Sequence, residues 1–421
     1  MGRASIALSG LCHRADAAGT DRVPAYERRF AETVLGDADV PAVAFWRGRV
    51  TLWAMLRALD VTEADEVVVP AFTCEMVPAA VRFAGATPVY ADVAPGTCDA
   101  SPETAAACLS PATRAVLCQH TYGVPQPMAA WERLADEAAG GRGATLIEDC
   151  CQLIQVGQDE GRPGRMGAAA FFSSQWSKPY STGLGGVAVF RDRALGEKVR
   201  AIRDGFPREG DRGRARSLAF QVLLYALTVR PWTRATVAFL YRAAQRAGLV
   251  RGTTTREEYG ETMPEDYAAR GLNIQADLGC AELDRWAENV THRTALTRLV
   301  LEGLARTGAD LRHLPAADTA GPLWTVPVFV ENRDEMLHLA SRRSLPLATW
   351  FDVPPAHVAP ATAARYAYRP GQCPGAEWLL PREIHLTTGP PTSAARAEAA
   401  IRLLERHAQW STGGAWTEGA S

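Results

Sequence analysis

From about residue 40 the hydrophobic and polar positions follow two alternating periods. Short apolar, β-branched runs bounded by Gly, Pro and Asp read as strands, and stretches with apolar residues three and four apart read as helices. The predicted strands are EVVVP (66–70), TPVYADV (87–93), RAVLCQ (114–119), ATLIED (144–149), AAAFFSS (168–174) and GGVAVF (185–190). Helical segments are predicted between them near 51–59, 75–84, 101–108 and 128–139. Apolar strands alternating with helices predict a mainly parallel sheet covered on both faces, a three-layer α/β/α arrangement. Ligands of open sheets gather at the carboxyl ends of the strands. The polar residues that close the apolar runs are therefore the first candidates for chemistry.

After about residue 193 the pattern changes. An arginine-rich stretch, KVRAIRDGFPREGDRGRARS, leads into an apolar insertion over 217–250 that reads as two helical segments broken at Arg230-Pro231, too interrupted to span a membrane. A polar connection near 252–270 follows, then a long helix (about 276–305), the strand-like PLWTVPVFV, the helix RDEMLHLASRRS and a closing helix near 393–409. This suits a smaller α+β C-terminal domain. The chain is thus divided into a large domain, 1–270, carrying an N-terminal extension and the helical insertion, a small domain, 271–410, and a flexible tail, 411–421.

Composition narrows the function. A length of 421 residues, 47% of them hydrophobic, allows a large core, and a net charge of -2 leaves no basic field for nucleic acid. The N-terminal apolar stretch is shorter than a signal-peptide core, and no stretch reaches the roughly 20 apolar residues of a bilayer span, so a soluble, cytoplasmic protein is expected. Nine cysteines without CxxC pairing suggest reduced thiols rather than disulfides or a metal site. Only two of the 45 basic residues are lysines, Lys178 and Lys198. Lys178 lies in FFSSQWSKPYSTGLGG, where it is the sole charge, and an amine with an adjustable pKa can act as a nucleophile where guanidinium cannot.

Asp149 closes ATLIED, Ser173 closes AAAFFS, and Lys178 sits in the loop that follows. This is the set that pyridoxal 5'-phosphate (PLP) chemistry needs. A lysine amine forms a Schiff base and later moves a proton, a carboxylate keeps the pyridine nitrogen protonated, and hydroxyls with helix N-terminal amides hold the phosphate. Each residue alone has a plainer explanation or says little: the aspartate as a helix cap, Gly183, Gly185 and Gly186 as turn residues, the lysine as a chance residue in a loop, and Ser173 is less informative still. Their combination is what carries weight.

The order IEDCCQ (147–152), GAAAFFSS (167–174) and SKPYSTGLGGVAVF (177–190) resembles the DegT/DnrJ/EryC1/StrS family of PLP-dependent aminotransferases. VVVPAFTC (67–74), AGATPVYADV (84–93), ATRAVLCQHTYGVPQPM (112–128), GLNIQADLG (271–279) and CPGAEWLLPREIHL (373–386) support it in the right order. The resemblance implies the fold type I architecture of PLP-dependent transferases. It also implies Lys178 as the Schiff-base lysine, Asp149 on the pyridine nitrogen, Gln152 on the ring hydroxyl and Ser173 on the phosphate. Asn273 resembles the asparagine that reaches the phosphate of a neighbouring subunit, which implies a homodimer with shared sites.

Four positions depart from the family pattern. Gly48 and Arg49 stand where a Gly-Thr pair binds phosphate, Cys74 where an aromatic stacks on the cofactor, Ala168 where an aspartate is common and Gln275 where an arginine follows GLN. Backbone amides, or a bidentate arginine, serve a phosphate equally well, so Gly48 and Arg49 stay candidates. His120 in QHTYG has two readings, a pocket residue or a satisfied structural histidine, and Tyr180 is a further candidate on the substrate side.

The resemblance implies transamination, with glutamate or glutamine converting PLP to pyridoxamine phosphate (PMP), which then aminates a keto sugar, nucleotide-linked in the leading reading. A cyclitol or another keto compound is the alternative, in specialised metabolite, antibiotic or glycan biosynthesis. Dehydratases of the family carry histidine in place of the lysine, so Lys178 argues against that branch. A non-catalytic PLP-fold regulator is the rival from another class, motivated by the departures. A dinucleotide-binding oxidoreductase is disfavoured because no GxGxxG follows the first strand.

Overall fold

The computed structural model of the chain describes residues 21–138, 143–154, 163–228, 258, 260, 262–349 and 366–411. Helix α1 (Val23–Phe30), with Pro24 in its first turn, continues as a π-helical turn over Ala31–Leu35. Then come β1 (Ala42–Phe45), α2 (Gly48–Ala58), β2 (Glu66–Pro70), α3 (Met76–Ala84), β3 (Thr87–Ala91), α4 (Pro102–Ala106), β4 (Thr113–Gln119), α5 (Met128–Glu137), β5 (Thr145–Asp149), β6 (Ala169–Ser173), β7 (Gly186–Phe190), α6 (Arg193–Asp204) and α7 (Asp211–Thr228). The C-terminal part holds α8 (Asn273–Leu283), α9 (Trp286–Leu304), β8 (Thr325–Phe329), α10 (Arg333–Arg342), β9 (Leu347–Ala348), α11 (Pro374–Leu379), β10 (Glu383–Thr387) and α12 (Ala394–His407).

The main sheet has the strand order β1-β7-β6-β5-β4-β2-β3. From β6 to β3 neighbouring strands run parallel, while β7 is antiparallel to both β6 and β1. Successive side chains of a strand point to opposite faces, and the cores divide accordingly. Val67, Val69, Leu117, Ile147 and Phe171 pack with Leu52, Leu56 and Val81 of α2 and α3. On the other face Val68, Val116 and Leu146 meet Trp131 and Leu134 of α5, and Phe172, Val187 and Val189 meet Tyr26 and Phe30 of α1. Because β2, β4, β5 and β6 share one direction, Pro70, Gln119, Asp149 and Ser173 end at the same edge of the sheet.

The second sheet, β8-β10-β9, is antiparallel and packs with α9, α10 and α12 through Leu296, Val300, Val326, Met336, Ile384 and Leu404. Among the contacts that tie the C-terminal part to the main sheet, two start at β3. Asp92, after β3, accepts the amides of Gly375 and Ala376 at 2.9 and 2.8 Å, capping α11 from across the molecule, and Tyr90 donates its hydroxyl to the Tyr366 carbonyl.

Strand and helix expectations for 66–190 agree with the structure to within about three residues at each end. The helix expected over 276–305 is instead two helices, because Arg285 leaves the helical conformation at φ -108°, ψ 12°. The break lets α8 lie on α1, burying Ile274 and Leu278 with Trp46 and Leu184, while α9 crosses to the second sheet. The apolar insertion contributes α7 as far as Thr228, and the expected break at Arg230-Pro231 lies outside the described residues, as do 1–20 and 412–421. No helix among the described residues is long and apolar enough to cross a membrane.

Candidate active site

The carboxyl edge of the main sheet and the N-terminus of α2 enclose a cavity. Lys178, Asp149, Gln152, Ser173, Gly48 and Arg49 all line it. Asp149 reaches it because β5 ends there, and its Oδ1 accepts the Cys151 amide at 2.9 Å. Burial holds its carboxyl above the usual carboxylate range, opposed by the Cys151 amide and the charge of Lys178. Gln152 is fixed by the Tyr122 amide, which donates to its side-chain oxygen at 2.6 Å and leaves the amide NH2 for a ligand.

Helix α2 begins with no side-chain cap on its first turn. Gly48 and Arg49 of its first turn line the cavity, and the start of a helix favours an anion through its N–H groups and its dipole. Glycine is required at position 48. A Cβ there would lie 2.9 Å from both Cβ and Oγ of Ser173, so only glycine lets the helix end approach the serine closely enough for one anion to touch both. Arg47 and Arg49, on the same wall, both pair with the buried Glu258.

The lysine loop, Ser174 to Gly185, is pinched at its base. The Ser174 amide donates to the Gly185 carbonyl at 3.0 Å, the Thr182 amide to the Ser174 carbonyl at 2.9 Å, and the two hydroxyls meet at 2.8 Å. Gly185, at φ +156°, has no room for a side chain between those hydroxyls. The C-terminal elements hold the flanks of the lysine. Trp324 Nε1 donates to the Ser177 carbonyl at 2.8 Å, and Asn289 donates to the Pro179 carbonyl at 2.9 Å.

Three candidate residues, His120, Tyr180 and Asn273, stand outside this lining. His120 is buried beside Glu148, which points to the sheet face opposite Asp149; its Nδ1 accepts the Gln126 amide at 3.2 Å and its Nε2 lies 3.3 Å from the Glu148 carboxylate. It is the satisfied structural histidine. His120, Glu148 and Cys150 lie close enough to bracket a metal ion, but the Glu148 oxygens already accept the amides of Gly164, Met166 and Gly167 and so fasten that loop to β5. Tyr180 packs against Phe30 and Trp286 and meets the Tyr26 hydroxyl at 3.2 Å. Asn273 faces α1 within the same chain, accepting the Arg22 amide at 2.8 Å.

The departures from the family pattern have local explanations. Gln275 donates to the carbonyls of Trp46 and Leu184, joining α8 to the start of α2 and to the lysine loop. Ala168 lies at the amino end of β6, the edge away from the cavity, where its amide donates to the Leu146 carbonyl. Cys74 and Cys151 both line the cavity, and burial raises both thiols above their usual range, so they stand there as neutral groups. Arg47, Glu75, Gln175 and Glu258 escaped the sequence reading because no residue spacing links them. The fold brings Arg47, Glu75 and Gln175 to the cavity wall, where Arg47 pairs with the buried Glu258.

The model of the DegT/DnrJ/EryC1/StrS aminotransferase family matches residues 16–224 and 237–405. The chain belongs to this family. It is 34% identical over 200 residues to the L-glutamine:2-deoxy-scyllo-inosose aminotransferase of Streptomyces fradiae, a match covering 46% of this chain and 46% of that enzyme, so it spans less than half of that relative's length. A second L-glutamine:2-deoxy-scyllo-inosose aminotransferase, from Streptomyces lividus, is 33% identical over 340 residues, 70% of this chain and 78% of that enzyme. The crystal structure of an aminotransferase from Psychrobacter cryohalolentis superposes with a TM-score of 0.70 over 96% of this chain and 95% of that one, at 22% identity, and so shares its fold.

Proposed function

We propose that the protein is a PLP-dependent aminotransferase with Lys178 as the cofactor lysine. The observation that carries the reading is the buried cavity in which Lys178 and Asp149 meet the uncapped N-terminus of α2. The donor set suits the group: a carboxylate that burial leaves in want of a cation, an amide NH2 at Gln152, and an anion seat formed by Ser173 and the amides of Gly48 and Arg49. Bound there, PLP supplies an aldehyde carbon that joins amines and a ring that accepts electrons. Asp149 keeps the ring nitrogen protonated, Gln152 donates to the ring hydroxyl, and Ser173 with the start of α2 anchors the phosphate. Lys178 carries the proton between the substrate carbon and the cofactor side of the pocket in both half-reactions.

The amino donor is glutamine or glutamate, and the acceptor is a keto sugar or keto cyclitol. The names of the Streptomyces relatives favour glutamine and a cyclitol; a nucleotide-linked sugar is the second acceptor class, since a relative in Acidithiobacillus ferrooxidans, 36% identical over 160 residues, is a UDP-N-acetyl-3-dehydro-alpha-D-glucosamine 3-aminotransferase. The working form is a cytoplasmic homodimer in which Asn273 reaches the partner's phosphate seat. Contacts of α8 with α1 support drawing the boundary between the large unit and the small C-terminal unit just after α8, one helix beyond residue 270.

Borohydride reduction of the protein with PLP, followed by peptide mapping, tests the reading. A pyridoxyl group on Lys178 is expected, and Lys178→Arg should abolish both the adduct and amino transfer to a panel of keto sugars and cyclitols while preserving the fold. An adduct on another residue, or turnover by Lys178→Arg, would remove the proposal.

A further inference from the structure

The C-terminal half contributes an aromatic ring to the lysine that sequence motifs do not reveal. Lys178 Nζ lies over the ring of Trp324, 5.2 Å from its centroid, and the two side chains are 8% and 5% exposed. A cation at this distance from an indole is attracted by the ring quadrupole, more strongly where water is excluded. The ring does not depend on the lysine for its place. Trp324 Nε1 donates to the Ser177 carbonyl at 2.8 Å, its amide donates to the Tyr122 carbonyl at 2.8 Å, and its carbonyl accepts from Arg293 at 3.1 Å and Thr388 at 2.8 Å. Arg293 is itself buried and also reaches the Pro179 carbonyl at 3.4 Å, so the clamp on Trp324 also grips the lysine loop.

Resting on the reading of Lys178 as the cofactor lysine, we propose that Trp324 is a positioning residue that stabilises positive charge at the lysine nitrogen. When the substrate amine displaces Lys178, the released amine stays over a fixed ring. Favouring the ammonium makes it a stronger base at the moment it must take the proton from the substrate carbon. Other charged or titratable groups face the same region: Asp149, Cys74 and Cys151 toward the amine, and Arg293 and the buried His385–Glu383 pair toward Trp324. All of these remain in the variants below, so their influence is common to every titration.

The test is the absorbance titration of the lysine–cofactor linkage in the PLP-loaded protein, with Trp324→Phe and Trp324→Leu beside the parent. Loss of the indole should move the midpoint to lower pH, by roughly 0.4–1.5 pH units in the leucine variant and by less in the phenylalanine variant. In the half-reaction with glutamine, kcat should fall about tenfold in Trp324→Leu while KM stays within about twofold. If Trp324→Leu does not fold, the phenylalanine variant decides by itself. A midpoint and kcat equal to the parent's in the folded variants overturn the inference. Should borohydride fix no cofactor on Lys178 of the parent, the underlying reading fails instead, so the two failures are told apart.

Discussion

Asp149 takes the Cys151 amide and shares its cavity with Lys178, yet burial still lifts its pKa. A carboxylate in that position gains most from a cation that arrives with the ligand. Asp149→Asn keeps the shape and removes the charge, so the variant should bind PLP but transaminate roughly a hundredfold more slowly, read as kcat with glutamine. An unchanged kcat would release Asp149 from its role. The residues of this kind were legible in the sequence because each one closes an apolar run or lies a few positions beyond it. His120 also follows such a run, and of its two readings the structural one fits: a strand end fixes the edge of the sheet, but here the imidazole is taken up by Glu148 and the Gln126 amide. Trp324 was illegible, since nothing in PLWTVPVFV announces that its ring crosses to a loop more than a hundred residues away.

Among the elements, α2 matters most to the site. Its first turn has the wrong residues for a family phosphate motif and the right backbone for an anion, because Gly48 passes so close to Ser173. Gly48→Ala should therefore destabilise the protein by about 1–3 kcal/mol through overpacking, seen in the denaturant midpoint. It should also weaken PLP relative to pyridoxal, which lacks the phosphate. Equal losses for the two ligands would show that the helix end holds no phosphate. Most strands and helices of the main sheet could be read from periodicity, since buried parallel strands are nearly continuous apolar runs. Strand β1, four residues of AVAF, and the break between α8 and α9 could not, because the first is too short to show a period and the second is imposed by packing on α1.

At the scale of the whole molecule, stability should respond to acid through a histidine far from the cavity. His313 is buried, its Nε2 donating to the Pro327 carbonyl at 3.3 Å, and burial pushes its pKa down to about 4. The unfolded chain binds that proton near pH 6.5, so between about pH 6.5 and 4 the unfolded state holds more protons and acid favours unfolding. Relative to His313→Gln, the parent should lose roughly 3 kcal/mol between pH 7 and pH 4 in denaturant titrations. Parallel curves for the two proteins would refute this. The two halves are also interdependent in time. The carbonyls on either side of Lys178 are held by Asn289 and Trp324, which lie 110 and 147 positions further along the chain. On the ribosome, Lys178 is therefore made long before the residues that hold its loop, and a growing chain can fix that loop only once Asn289 and Trp324 have emerged and docked.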